Sequence, residues 1–250
     1  MRQSGSVIFI LFTCVALFGA LTWIVTQSNS WSSNRDTERT KLAATQVMQY
    51  GLSIQTAIRR LKAVNGCADS QISFERVPFD GSDTDYYYDN GLSGYKCHVF
   101  HESGGGVTAF DVPDRLNDGS EGFFTGATCV SGLKSGDYEF SVTDTCVSDD
   151  GMDVLYIIPN IDLDACLLIN RKADIDAISG KPPQDYGDAW DPSSSARFFK
   201  NNFPTTGYNA ISDNSGARSF HGKRYGCFEG GGSANFPADF YHFYYAVLDR

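Results

Sequence analysis

Apolar and polar residues follow different periods along this chain, and each period predicts a different element. No charged residue occurs between Arg2 and Arg35, and the centre of that stretch, bounded by Val7 and Val25, is almost wholly apolar. A helix rises ~1.5 Å per residue and a bilayer core is ~30 Å thick, so a run of this length predicts a membrane-spanning helix. From Asp36 onward the period becomes amphipathic. Leu42, Val47, Tyr50, Ile54, Ile58, Leu61 and Val64 recur at spacings of three to five, which predicts one apolar helix face. Lys41, Gln46, Gln49, Gln55, Arg59 and Lys62 fill the other. Asn65-Gly66 marks the stop, because both residues tolerate a left-handed backbone.

Beyond Gly66 short alternating runs predict strands. Ile72-Ser73-Phe74 and Cys97-His98-Val99-Phe100-His101 have that pattern, and Gly104-Gly105-Gly106 reads as a turn leading into Val107-Thr108-Ala109-Phe110, a hairpin. Tyr138-Glu139-Phe140-Ser141-Val142 and Val154-Leu155-Tyr156-Ile157-Ile158 are further strands, the second ended by Pro159-Asn160. Asp162 is placed to cap a short helix carrying Cys166, Leu167 and Ile169. The unbroken run Phe240-Tyr241-His242-Phe243-Tyr244-Tyr245-Ala246-Val247-Leu248 predicts a strand covered on both faces. Residues 181–214, with prolines at 182, 183, 192 and 204, predict a long surface loop with a short helix over 196–201. No internal repeat and no second boundary interrupt the part beyond Gly66.

Charge changes this picture modestly. The chain has 30 acidic and 20 basic residues, every acidic one beyond Ser30. Arg2 before the apolar run favours an inward N-terminus by the positive-inside rule. An acidic exported part with no basic run repels nucleic acid and anionic lipid, so no nucleic-acid partner is expected. Of seven cysteines, Cys14 sits in the apolar run, and Cys67, Cys97, Cys129, Cys146, Cys166 and Cys227 form an even set beyond it. Their absent Cys-x-x-Cys spacing points to disulfides in an oxidising compartment rather than to zinc. Six cysteines allow 15 pairings; proximity favours Cys67–Cys97, Cys129–Cys146 and Cys166–Cys227.

Candidate chemistry is thin. The four histidines are His98, His101, His221 and His242, and on a strand His98 and His101 would face opposite ways. His101-Glu102-Ser103 lacks the glycine-flanked elbow of a nucleophilic serine. No phosphate loop, dinucleotide fingerprint or zinc-protease helix is present, so neither a catalytic residue nor a cofactor is expected. Asp80, Asp83, Asp85 and Asp89 crowd one loop, and Asp144, Asp149, Asp150 and Asp153 another. Both are weak calcium candidates without the spacing of a helix–loop–helix site, and solvated acidic turns are the preferred reading. Tyr86-Tyr87-Tyr88, and Glu229-Gly230-Gly231-Gly232-Ser233 beside Phe236 and Phe240, could form adhesive lips.

The leader Met1-Arg2-Gln3-Ser4-Gly5, followed at once by the apolar run, resembles the class III signal of type IV pilins and pseudopilins. The resemblance implies peptidase cleavage between Gly5 and Ser6, with methylation of the new terminus. It implies an α+β fold: a long N-terminal transmembrane and amphipathic stem helix carrying a disulfide-tied antiparallel β-sheet head. The leader would be residues 1–5, the stem 6–66 and the head 67–250, with 80–91 similar to the variable loop that joins stem to sheet. Two positions depart from the family. Ser4 stands where a basic residue is usual, and Ile10 where major pilins carry the glutamate that pairs with a neighbour's N-terminal amine, so the chain is more similar to minor or tip subunits. The region Cys166–Asn170, the Gly226-Cys227-Phe228 turn and the final strand are similar to features of uncharacterised Gram-negative pilin-like proteins. The implied role is a structural subunit of an envelope filament or secretion apparatus. Its implied partners are other pilin-like subunits, the assembly machinery and the inner membrane, with the head in the periplasm or at the cell surface. The alternative is a single-pass, membrane-anchored binding module, a receptor or adhesin.

Overall fold

The computed structural model describes residues 5–27, 30–79, 83, 86, 94–130, 132–133, 152–185, 198–200, 203, 210–211, 213, 219–231 and 238–249; for 5–8, 21, 24–27 and 30–36 it describes the backbone alone. Helix α1 is Gly5–Gln27 and α2 is Ser30–Asn65. Strands β1 (Phe123–Val130) and β2 (Asp153–Ile161) follow, then α3 (Leu163–Ala173), β3 (Ala210–Ile211), β4 (Tyr225–Glu229) and β5 (Tyr241–Leu248). The chain divides into two compact units, Met1–Thr40 and Lys41–Arg250.

The larger unit is organised by β5. All eight of its residues are buried, because it lies inside a five-stranded sheet of order β3-β1-β2-β5-β4 and is hydrogen-bonded on both sides. The predicted doubly covered strand is what forms. β2 also follows the expected run, but it continues through Pro159 and Asn160 to Ile161. A register shift between Ile158 and Ile161 absorbs the interruption, and Asn160 adopts a positive φ of 55° there.

Residues 43–61 of α2 supply the helical layer of this unit. Val47, Tyr50, Ile54, Ile58 and Leu61 are buried, as the stripe predicts, whereas Leu42 and Val64 at its ends are 59% and 75% exposed. A Cβ on Gly51 would fall 2.4 Å from the Tyr245 ring, so α2 meets β5 at a distance only glycine permits. Tyr50 completes the contact, its ring 4.9 Å from Phe110 and 5.3 Å from Tyr156. Gly66, at φ +68°, takes the chain out of the helix.

Helix α3 is fastened to β4 by covalent and polar links together. Asp162 is its N-cap residue and Asp174 its left-handed C-cap, with Arg171 and Lys172 near the negative end of the helix dipole. Cys166 is bonded to Cys227. One turn on, buried Asn170 donates to the Cys227 carbonyl at 2.8 Å and accepts the Cys227 N–H at 2.8 Å. The same edge of β4 receives the chain at 183–185, where Glu229 donates to Pro183 O and Asp185 donates to Glu229 O.

Several expectations are corrected. The sheet is mixed rather than antiparallel, because β3 runs parallel to β1, with Cys129 opposite Ala210. The transmembrane stem is not supported: among the described residues no helix is long and apolar enough to cross a membrane. No hairpin forms over 97–110; Ser73 and His98 share a single parallel bridge. The glycine triplet folds back instead, Gly104 and Gly105 donating to His101 O and His98 O at 2.9 and 2.8 Å. Gly226-Cys227-Phe228 is a strand, β4, not a turn. The expected strand at 138–142 lies outside the described residues, as does most of the expected helix at 196–201.

Candidate functional site

The positions singled out in the sequence fall into two groups, those tied into the fold and those outside the described residues. Gly5 and Ser6 belong to the first turn of α1. Cys67–Cys97 and Cys166–Cys227 are disulfides, Cys129 is disulfide-bonded, and Cys146 lies outside the described residues. Cys14 is free and exposed.

The acidic residues serve the backbone where they are described. Asp83 accepts the Arg76 N–H at 3.2 Å through its carboxylate, and its carbonyl accepts the Tyr86 N–H at 3.1 Å. Asp80, Asp85 and Asp89 lie outside the described residues, as do Asp144, Asp149 and Asp150. Asp153 is buried and accepts the Val130 N–H at 2.8 Å, an acceptor that ties β1 to β2. Among the described residues no group of three or more His, Cys, Asp or Glu is poised to hold a metal ion.

The two neighbouring histidines do not part as a strand would place them. The 98–107 segment curls, and both rings pack on Phe79, at 6.0 Å for His98 and 4.9 Å for His101. Tyr95 stacks on His101 at 4.5 Å and meets His98 edge-on at 5.1 Å. A Cβ on Gly104 would come 2.2 Å from His98 O, so the curl requires glycine there. Behind the rings, His98 Nδ1 lies 3.7 Å from the Glu75 carboxylate, with both side chains largely buried. Burial, and then the neighbouring His101, hold His98 below its ordinary pKa. His101 Nδ1 accepts the Ser103 backbone N–H at 3.0 Å. The imidazole is thus spent on the amide rather than on the hydroxyl, and this geometry does not make Ser103 a nucleophile.

The two adhesive lips are rooted in the core where they are described. Tyr86 is buried, and its hydroxyl accepts the Phe124 N–H at 3.0 Å; Tyr87 and Tyr88 lie outside the described residues. Glu229 is buried and accepts from Lys181 Nζ at 3.2 Å and from the Asp239 N–H at 3.0 Å. Lys181 also pairs with Asp239, and these two carboxylates raise its pKa, the Asp239 bond first. Gly230 donates to Phe240 O at 2.9 Å, whereas Gly232, Ser233 and Phe236 lie outside the described residues.

The surface with the strongest unmet requirement is α1. Phe9, Ile10, Leu11, Phe12, Val15, Leu17, Phe18 and Trp23 are each 57–75% exposed. At ~100° per residue these positions point to every side of the helix, so no single face could bury them. Thr13 donates to Phe9 O at 2.6 Å and Thr22 to Phe18 O at 2.7 Å, which satisfies both hydroxyls within the helix and leaves their methyl groups outward. The length of the apolar run was visible in the sequence; the exposure of these side chains was not.

No protein-family model, curated protein or solved structure matches the chain.

Proposed function

We propose that this protein is a pilin-like structural subunit of an envelope filament or secretion apparatus, which joins its assembly by packing α1 among the helices of neighbouring subunits and displays the larger unit. The observation that carries the reading is the uncovered apolar circumference of α1. Eight large apolar side chains open to water oppose solubility by many kcal/mol at ~25 cal/mol per Å². A helix apolar all round is a helix meant to be surrounded. Within the larger unit, the described His101, Asp153 and Tyr86 hold backbone and core rather than present a reactive centre. Ile10 removes the glutamate that would neutralise a neighbour's amine, which fits sparse or tip incorporation.

Cys14 is the natural reporter. In intact cells of the native host, a short maleimide–diazirine crosslinker, attached at the Cys14 thiol and photo-inserted into its neighbour, should link Cys14 to a helix of another subunit, and Cys14→Ser should abolish the adduct. A chain that stays monomeric under every crosslinker length would sink helix-mediated assembly. Intact-mass analysis separates the pilin part of the reading from the rest. The mature chain should begin at Ser6, and a chain that keeps Met1 alongside a Cys14 adduct would leave an assembling helix without pilin processing.

A further inference from the structure

The curl at 95–106 holds a histidine in a way that a single proton undoes. His101 Nδ1 accepts the Ser103 N–H at 3.0 Å, so the neutral ring carries its own proton on Nε2. A second proton, taken from solvent, has one place to go, the Nδ1 lone pair that Ser103 already occupies. An imidazolium has two donors and no acceptor, so neither orientation of the charged ring receives this amide. The hydrogen bond and the second proton exclude each other. Phe79 and Tyr95 close on the same ring, at 4.9 and 4.5 Å. Both are bulky residues in the left-handed backbone region, at φ 55° and 57°. Such backbone persists only where its surroundings over-determine it, and it gathers at clamps and switches.

The groups around His101 place a charged ring badly. His98 packs on the same two aromatics, at 6.0 Å from Phe79 and 5.1 Å from Tyr95. Its buried Nδ1 makes no hydrogen bond and faces the Glu75 carboxylate at 3.7 Å. That carboxylate answers a proton on His98; among the described residues none pairs with His101. From α2, Arg60 donates to the carbonyls of Gly104 and Gly105 and sets a positive charge against the same turn. From the 73–79 segment, Arg76 donates to Gly122 O and lies 3.7 Å from Glu121, while Asp83 accepts the Arg76 N–H. Lys96 and Glu102 are exposed on the curl itself, and Glu102 draws an imidazolium outward. The Tyr95 face is the one inward attraction.

We propose that His101 is a proton-operated latch: neutral, it is tied to Ser103 and covers Phe79 and Tyr95; protonated, it loses the tie, swings into water and uncovers both rings. The backbone of the curl stays in place. Gly104 and Gly106 still donate to His101 O and Gly105 to His98 O, and the Cys67–Cys97 disulfide holds its start. Only the ring moves. Val77, 78% exposed, and Pro78 stand beside Phe79, so opening joins these residues and Tyr95 into one apolar patch that acid reveals. The latch lies wholly in the larger unit and does not depend on how α1 is covered.

The test is hydroxyl-radical footprinting of the purified full-length chain between about pH 8 and about pH 5, the range in which histidine ordinarily changes charge. Oxidation is read by mass spectrometry at Phe79 and Tyr95 and, as a core control, at fully buried Phe243. Phe79 and Tyr95 should become several-fold more reactive at the lower pH while Phe243 stays unreactive. Protection of the Ser103 amide from exchange, corrected for the intrinsic rate, should fall about fivefold, as the loss of one hydrogen bond requires. Two substitutions bracket the native chain. His101→Asn offers a carbonyl to the amide two residues on and takes no charge, so it should stay shut at both pH values. His101→Lys is charged and has no acceptor, so it should be open at both. Acid exposure that persists in His101→Asn, a shut His101→Lys, or oxidation of Phe243 together with Tyr95 would each overturn the latch. So would a native chain whose Phe79 and Tyr95 are as protected at the lower pH as at the higher, and that outcome needs no variant to fold.

Discussion

Helix α1 and strand β5 are the two most apolar stretches of the chain, and they meet opposite fates. β5 places aromatic and aliphatic side chains on both of its faces, and every one of them is buried. Its neighbours β2 and β4 take its backbone, and α2 covers Tyr245. α1 turns comparable side chains to all sides and leaves the large ones more than half exposed. Apolarity alone therefore does not say what a segment is for. The difference is cover: β5 has strands on both sides and α2 across Tyr245, whereas the described large side chains of α1 lie open.

The largest effect separates these two regions directly. Phe243 is fully buried in β5, so Phe243→Ala should lower unfolding free energy by about 3–5 kcal/mol in chemical denaturation. A loss under 1 kcal/mol would mean that the β5 core is far looser than its burial implies. The next effect uses pH. His242, also on β5, is held down to about 4, chiefly by burial and in spite of nearby Asp118, against an ordinary 6.5. The unfolded chain takes up this proton first, so stability is whole above pH 6.5 and falls as pH drops toward 4. The total loss is about 3 kcal/mol, and the contribution levels off below pH 4. Denaturation midpoints measured across that window should slope less in His242→Phe than in the native chain; parallel slopes would remove His242 from the account.

A smaller effect tests the margin of the sheet. Asn170→Leu keeps the branched outline but leaves the buried Cys227 N–H and C=O without their side-chain partner. It should cost about 2 kcal/mol by the same denaturation assay, with the Cys166–Cys227 bond still formed on peptide mapping. The smallest effect closes the comparison. Phe12→Ala or Leu17→Ala in α1 should change the unfolding of the larger unit by less than ~0.5 kcal/mol while reducing Cys14 adducts in cells. A large shift in unfolding would show that α1 is covered by its own chain after all.

Legibility followed the range of the forces involved. The α2 stripe and β5 were plain in the sequence because their periods are local and their apolar residues large. α3 was located by Asp162 and the residues after it, although Asp162 makes no side-chain cap bond. β1 was invisible: Thr125-Gly126-Ala127-Thr128 has little strand character of its own, and it is a strand because β2 pairs along it and Asp153 takes the Val130 N–H. β4 read as a turn because Gly226 and Cys227 are small, and its extension comes from pairing with β5 and from Asn170. The alternation at 97–101 was real but misleading, since Gly104 and Gly105 fold back onto the carbonyls that a strand partner would have used. At the candidate site, the apolar length of α1 was legible, whereas the meeting of His98 and His101 on Phe79 was not, because strand alternation sets the two rings on opposite sides.

The amide of Asn170 has a consequence beyond the strength of its two hydrogen bonds. A peptide group at that place would belong to another strand, and another strand would itself carry an open edge for the next chain to join. A side-chain amide offers the same donor and acceptor to Cys227 and then ends. With Pro183 and Asp185 meeting Glu229 further along, β4 is closed to runaway strand addition. Copies of this chain crowded together therefore cannot pair strand to strand through β4 at Cys227 and Glu229.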